Sequence, residues 1–84
     1  MAQRLVTPDQ LGQLLAARRK ALKLSQGQLA ERVGISQNRL SELETDPARL
    51  TFDRLLELTN ALGLELTLQE KERERQPDTS QGEW

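Results

Sequence analysis

The feature that most constrains this chain is a pair of short helix signals separated by a single glycine. Ser25 and Gln28 have the spacing of a capping box, in which both side chains satisfy backbone N–H groups at the start of a helix. Gly34 follows the apolar residues of that helix. Because glycine lacks a Cβ, it adopts a left-handed conformation at little cost, so we expect the helix to end there. Ser36 then provides a cap for a second helix. The stretch therefore predicts two short helices joined by a tight turn.

The second helix of this pair has a narrow apolar side, formed by Leu40 and Leu43 together with Ile35 just before it. The remaining side chains can donate or accept hydrogen bonds. They are Ser36, Gln37, Asn38, Arg39, Ser41 and Glu42. In the major groove of DNA, Gln and Asn amides match the N6/N7 edge of adenine, and Arg matches guanine O6/N7. Spacing alone leaves two interpretations, a helix-turn-helix that enters the groove and an ordinary helical hairpin with a solvated polar face.

Five short blocks resemble the signature of the phage-repressor-type (Cro/C1, XRE) helix-turn-helix family. They are Leu24-Ser25-Gln26, Leu29-Ala30, Gly34-Ile35-Ser36, Leu40-Ser41 and Leu43-Glu44. The resemblance implies an all-α, lambda-repressor-like bundle of four to five helices, in which Gln26 binds a phosphate and Glu44 holds the following turn. It also implies that five side chains face the groove: Ser36, Gln37, Asn38, Arg39 and Ser41. Gly27 departs from the family pattern, because a better helix former usually stands there.

Composition excludes several classes of protein. The 84 residues allow one small domain. They contain neither cysteine nor histidine. This excludes a disulfide framework, the common zinc sites and nucleophiles based on His or Cys. Without a Gly-rich phosphate loop either, we expect no enzyme, no catalytic residue, no metal and no cofactor. No apolar run approaches the roughly 18 residues that span a bilayer, and no signal peptide is evident. We therefore expect a cytoplasmic protein that associates with the nucleoid.

The formal net charge of −1 hides a gradient along the chain. Residues 1–23 carry five cations and one anion, whereas residues 51–84 carry four cations and eight anions. Four of the five N-terminal cations lie at the end of the first predicted helix: Arg18, Arg19, Lys20 and Lys23. Cations in this place complement the helix dipole, and their number also predicts phosphate contacts beside the second helix of the pair. The residues expected to hold phosphates are Arg18, Arg19, Ser25 and Gln26.

Two further helices flank the central pair. The first begins at Thr-Pro-Asp-Gln, residues 7–10, which supplies a cap, a proline at the first helical position and a capping-box glutamine. We expect it to end at Leu22 or Lys23. After an Asp-Pro break, Thr51 begins the last helix and Gly63 ends it. The predicted buried face of this last helix consists of Leu55, Leu58, Thr59 and Leu62.

Residues 64–69 alternate apolar and polar side chains, so Leu64, Leu66 and Leu68 share one face of a predicted strand. A single strand cannot satisfy its own backbone hydrogen bonds, so we expect it to pair with the same segment of a second copy in a homodimer. A dimer also suits DNA, because paired helix-turn-helix units read half-sites about 34 Å apart. The alternative is a strand-like tail packed on its own helices.

Residues 70–84 contain no apolar residue before Trp84, which predicts a disordered tail after a DNA-binding and dimerisation domain at 1–69. Trp84 is either incidental or an anchor for a pocket on another protein. The arm, the helix-turn-helix, the strand and the tail ending Glu-Trp resemble HipB-like antitoxins of the HipBA toxin–antitoxin family. That resemblance implies a dimer that represses its own operon and binds HipA, a Ser/Thr kinase toxin. It also implies that the strand is an intersubunit lid and that Trp84 docks on the toxin.

The resemblance makes an antitoxin that binds palindromic, double-stranded operator DNA the first hypothesis. One alternative is a free-standing repressor of the same fold without a toxin, which an adjacent kinase-like reading frame would distinguish. Another is a protein-interaction module that neutralises a partner and never touches DNA. A gel shift with DNA from upstream of its own gene would decide that case.

Overall fold

The computed structural model describes residues 3–71 of the chain. Its elements are α1 (Pro8–Ala21), α2 (Gln26–Val33), α3 (Gln37–Thr45), a 3₁₀ turn (Pro47–Arg49) and α4 (Phe52–Ala61). The predicted all-α bundle of four to five helices is confirmed. In this part of the chain, every helix is too short or too polar to cross a membrane. Trp84 and nearly all of the predicted tail lie outside the described residues.

Side-chain caps determine where the helices begin. The Thr7 hydroxyl accepts the N–H three residues ahead at 3.4 Å, and the Ser25 hydroxyl does so at 3.0 Å, each within a complete capping box. Ser36 and Thr51 cap α3 and α4 in the same way, at 3.0 and 3.1 Å. Each cap satisfies a backbone donor that the helix leaves unpaired, so all four predicted starts are confirmed.

Left-handed residues follow three of the helices. Gly34 after α2 has φ 76°, and Gly63 after α4 has φ 69°, as the sequence predicts. Helix α1 ends at Ala21, slightly before the predicted end, because the chain already turns at Leu22 and enters a left-handed conformation at Lys23, with φ 61°. Within residues 3–71, Lys23 is the one residue other than glycine with a positive φ.

Leucines from all four helices form the core. Those that are at most 2% exposed are Leu15, Leu29, Leu40, Leu43, Leu58 and Leu62. Burying one leucine stabilises a fold by about 1.5–3 kcal/mol, so this set supplies much of the driving force for folding. The predicted face of α4 is confirmed, with Leu58, Thr59 and Leu62 buried and Leu55 half-buried.

Helix α1 lies very close to the end of α3 at Gly12. A Cβ on this residue would overlap the carbonyl oxygen of Glu44 and would lie 2.8 Å from Cγ of Pro47. The absence of a side chain therefore lets the end of α3 and the 3₁₀ turn pack directly on the α1 backbone. This contact helps to set the position of α3 in the bundle.

Residues 64–71 follow α4 without helix or strand. Leu64 packs against the core, whereas Leu66 is 37% exposed and Leu68 is 96% exposed. The structure therefore contradicts, for Leu68, the alternative of a tail packed on its own helices. Pairing of this segment across a homodimer stays a prediction, because the described residues belong to a single copy.

Candidate nucleic-acid interface

Helices α2 and α3 form the helix-turn-helix unit, and hydrogen bonds hold the turn between them. The N–H groups of Gly34 and Ile35 donate to carbonyl oxygens of Glu31 and Ala30, at 3.3 and 3.0 Å. These bonds use carbonyl groups that the last turn of α2 leaves unpaired. Helix α3 starts two residues later at the Ser36 cap, so a short, well-bonded turn fixes its orientation.

Helix α3 turns Leu40 and Leu43 into the core and leaves its other side accessible. Three predicted base-reading residues, Gln37, Asn38 and Arg39, are all exposed. The two predicted groove-facing serines differ, because Ser36 is exposed at the cap and Ser41 is half-buried. The structure thus brings the predicted residues together on one helix and its cap.

Two exposed side chains of α3 have neighbours within the chain. The Gln37 Oε1 atom lies over the first turn of α2, 3.5 Å from where a Cβ on Gly27 would stand. Arg39 Nη1 lies 3.1 Å from Oε1 of Glu42, and these side chains are 45% and 58% exposed. An ion pair this exposed contributes at most about 1 kcal/mol, so the guanidinium can exchange Glu42 for a base edge.

A buried hydrogen-bond network joins α1, α2 and α3 behind this surface. Arg19 donates from Nε to Glu44 Oε2 at 2.8 Å and from Nη2 to Oε1 at 3.2 Å. The Arg19 Nη1 group donates to the Leu24 carbonyl oxygen at 3.0 Å, and Gln26 Nε2 donates to Glu44 Oε1 at 3.0 Å. The two-bond contact between guanidinium and carboxylate is strong and directional, so it fixes the end of α1 against the end of α3. The bond from Gln26 joins the start of α2 to the same carboxylate.

This network corrects two expectations. The side chain of Arg19 is only 10% exposed and is paired with Glu44, so its predicted phosphate contact is wrong. The physical reason is periodicity, since Arg19 lies four residues after buried Leu15 and shares its face of α1. The Glu44 side chain binds Arg19 and Gln26 rather than the following turn.

Gln26 and Ser25 keep donors for their predicted phosphate contacts. The Gln26 amide is half-buried and gives one N–H to Glu44, which leaves the second N–H of the same nitrogen. The Ser25 hydroxyl accepts the N–H of Gln28 and can still donate its own hydrogen. Both side chains lie at the start of α2, next to the turn that precedes it.

Two further arginines tie helix ends together. Arg18 is half-buried, and its Nε donates to the carbonyl oxygen of Leu62 at 2.9 Å, so it closes the end of α4. Arg54 Nη1 donates to the Val33 carbonyl oxygen at 3.2 Å and to Glu57 at 2.6 Å. The contact between Arg54 and the end of α2 was not predicted, because no local sequence signal connects residues so far apart.

Several cations remain without an ion pair among residues 3–71, where the three ion pairs involve Arg19, Arg39 and Arg54. The exposed ones in the helical part are Lys20, Lys23, Arg32 and Arg49. Arg32 lies beside Glu57 and Asn60 of α4, along a shallow groove. In the same part of the chain, acidic residues form no cluster that could hold a metal ion.

Comparison with known proteins places this geometry among helix-turn-helix proteins. A helix-turn-helix family model matches residues 15–69. Three similar solved structures are a HipB-O1-O2 complex (28% identity, TM-score 0.75), a HipA-HipB-O2-O3 complex (27%, 0.77) and a HipB-O4 20mer complex (27%, 0.77). They cover 82%, 84% and 84% of this chain, and all of the matched chain in each case. Comparison with curated proteins gives no match. The predicted fold and the predicted resemblance are confirmed.

Proposed function

Because this chain belongs to the helix-turn-helix family, we propose that it is a HipB-like antitoxin that also represses its own operon. As a homodimer in the cytoplasm, it binds a palindromic operator on nucleoid DNA and a HipA-like Ser/Thr kinase toxin. The observation that carries the proposal is the exposed row of Gln37, Asn38 and Arg39 on a capped and anchored helix. Structural similarity to HipB, in complexes with O1-O2 and with HipA, supports both partners.

In this proposal, α3 enters the major groove and reads base edges. The Arg39 guanidinium pairs with guanine, and the amides of Gln37 and Asn38 pair with adenine. Ser36 and Ser41 are the shorter hydrogen-bonding groups on the same helix and its cap. Because Leu40 and Leu43 are buried, the bundle holds the helix that carries this row of side chains.

Phosphate contacts position α3 on the duplex. Ser25 and Gln26 supply donors at the start of α2, where unpaired N–H groups and the helix dipole also favour an anion. Arg18 keeps its Nη groups for a phosphate while its Nε holds the end of α4. Glu44 orients the amide of Gln26, so the phosphate contact depends on the buried network.

A titrated gel shift with DNA from upstream of the gene tests the DNA part of this proposal. We expect the wild-type chain to shift this fragment in preference to a scrambled one, and we expect Asn38→Ala to lose most of that preference. Arg32→Ala is the control, because Arg32 is exposed on the side of α2 near α4. If the wild-type chain shifts neither fragment but still retains a protein partner, the protein-interaction module becomes the better hypothesis.

A pull-down tests the toxin part. The bait is the chain with or without Trp84, and the prey is a HipA-like kinase, taken from an adjacent reading frame where one is present. Trp84 has a large apolar side chain, which is suited to a pocket on a partner. We expect the deletion to weaken kinase retention at least fivefold and to leave the gel shift unchanged. Equal retention would contradict the role of Trp84, and no retention by either bait would favour a free-standing repressor.

A further inference from the structure

Lys23 has an unfavourable backbone conformation for a residue with a side chain. Its φ is 61°, and the other described residues with positive φ are Gly34 and Gly63. A left-handed residue other than glycine is strained, because its Cβ comes too close to the following carbonyl oxygen. A glycine at this position would end α1 without that strain. Residues held in such a conformation cluster at binding sites, so the side chain of Lys23 is a candidate for a binding role.

Hydrogen bonds hold the turn that contains Lys23. The N–H of Leu24 donates to the Arg19 carbonyl oxygen at 3.0 Å, and the Leu24 carbonyl oxygen accepts from Arg19 Nη1, also at 3.0 Å. Arg19 is itself bound to Glu44, which holds Gln26. The backbone of residue 23 therefore has a fixed position relative to the start of α2, where Gln26 is proposed to bind a phosphate.

The charges at this end of α1 divide into two groups. Arg18 and Arg19 donate to groups within the bundle. Lys20 and Lys23 are exposed, and neither forms an ion pair within the part of the chain that the structure describes. A lysine ammonium group is a compact charge on a flexible stem, which suits a phosphate oxygen. Of the two, Lys23 is nearer in the chain to α2 and is the one under strain.

We propose that Lys23 binds a DNA phosphate beside the start of α2, and that this contact is the reason a lysine rather than a glycine occupies the strained position. The inference depends on the proposed DNA-binding function. On this side of the interface, Lys23 takes the phosphate contact that the sequence analysis predicted for Arg19.

Lys23→Gly provides the test, because it changes stability and DNA binding in opposite directions. Relief of the strain should raise the melting temperature by about 4 °C. Loss of one phosphate contact should weaken binding to the upstream fragment severalfold and reduce the slope of log K against log salt by about 0.9, without changing sequence preference. Lys23→Arg keeps the charge and should keep the wild-type slope.

Two further variants distinguish the outcomes. Asn tolerates the left-handed conformation, so Lys23→Asn removes the charge from a folded turn and should reproduce the reduced slope. Arg32→Ala removes a cation from another part of the surface and should leave the slope unchanged. A wild-type chain that does not bind the fragment would overturn the proposed function itself. If the wild-type chain binds but Lys23→Gly and Lys23→Asn both keep its slope, or if Arg32→Ala loses as much slope as these two variants do, the inference about Lys23 is wrong.

Discussion

Burial determines whether an arginine of this chain supports the fold or is available to a ligand. Arg19 is buried and paired with Glu44, and Arg18 is half-buried against the end of α4. Arg39 is exposed, and its ion pair with Glu42 is exposed and therefore weak. The sequence contains a signal for Arg19, its position four residues after Leu15 on the apolar face of α1. It contains none for Arg18, because the Leu62 carbonyl oxygen is reached only in the folded bundle.

Arg39→Ala should weaken binding to the upstream DNA by about 1–3 kcal/mol, because a two-bond contact with guanine is lost. The free energy of unfolding should change by less than about 0.5 kcal/mol, since the side chain is on the surface. The dissociation constant from a titrated gel shift measures the first effect and urea unfolding the second. An unchanged footprint on the operator would remove Arg39 from the base-reading set.

Arg19→Ala should destabilise the fold by about 3–5 kcal/mol, because it leaves the Glu44 carboxylate buried without its partner. Urea unfolding followed by circular dichroism measures this loss. Arg32→Ala is the matched control, an exposed arginine whose removal should cost less than about 0.5 kcal/mol. Similar stability of the two variants would show that the buried network contributes little to folding.

At the scale of helices, most of the architecture follows from local chemistry. Caps at residues 7, 25, 36 and 51 and glycines after α2 and α4 are sequence-local signals, and each acts as predicted. The close approach of α1 to α3 at Gly12 was not predicted. A glycine in a helical pattern has no local signature of contact, because the neighbouring backbone comes from residues about thirty positions away.

Gly12→Ala should destabilise the bundle by about 1–3 kcal/mol, because the added Cβ overlaps the Glu44 carbonyl oxygen and crowds Pro47. Gly27→Ala is the matched control, since its Cβ would meet Gln37 Oε1 at an ordinary distance of 3.5 Å. That variant should stabilise α2 by about 0.5–1 kcal/mol, because alanine is the better helix former. Thermal unfolding of both proteins, followed by circular dichroism, would reveal opposite shifts. A shift in the same direction would contradict the close contact at Gly12.

At the scale of the whole molecule, the single chain leaves apolar surface uncovered after α4. Leu66 and Leu68 are exposed while Leu64 is packed on the core. The alternation of residues 64–69 predicts the strand, but one copy contains no partner edge for it. Sequence periodicity therefore predicts a strand whose formation requires a second molecule, which the proposed homodimer supplies.

Substituting both exposed leucines in one chain, Leu66→Glu and Leu68→Glu, should convert the proposed dimer into a monomer. Burying two leucines contributes about 3–6 kcal/mol per protomer, so the dimer dissociation constant should rise by at least about 100-fold. Analytical ultracentrifugation over a concentration series measures this change. Glu65→Gln, on the opposite face of the segment, should keep the wild-type dissociation constant. A wild-type chain that sediments as a monomer throughout the series would contradict the dimer.

The separation between the core and the exposed row of α3 affects how such proteins diverge. Gln37, Asn38 and Arg39 are exposed, while caps and buried leucines hold the helix that carries them. Replacing these three side chains should alter the promoter that is chosen without loss of folding. Duplicated copies of the gene could therefore evolve separate regulatory circuits on one scaffold, with little cross-talk between them.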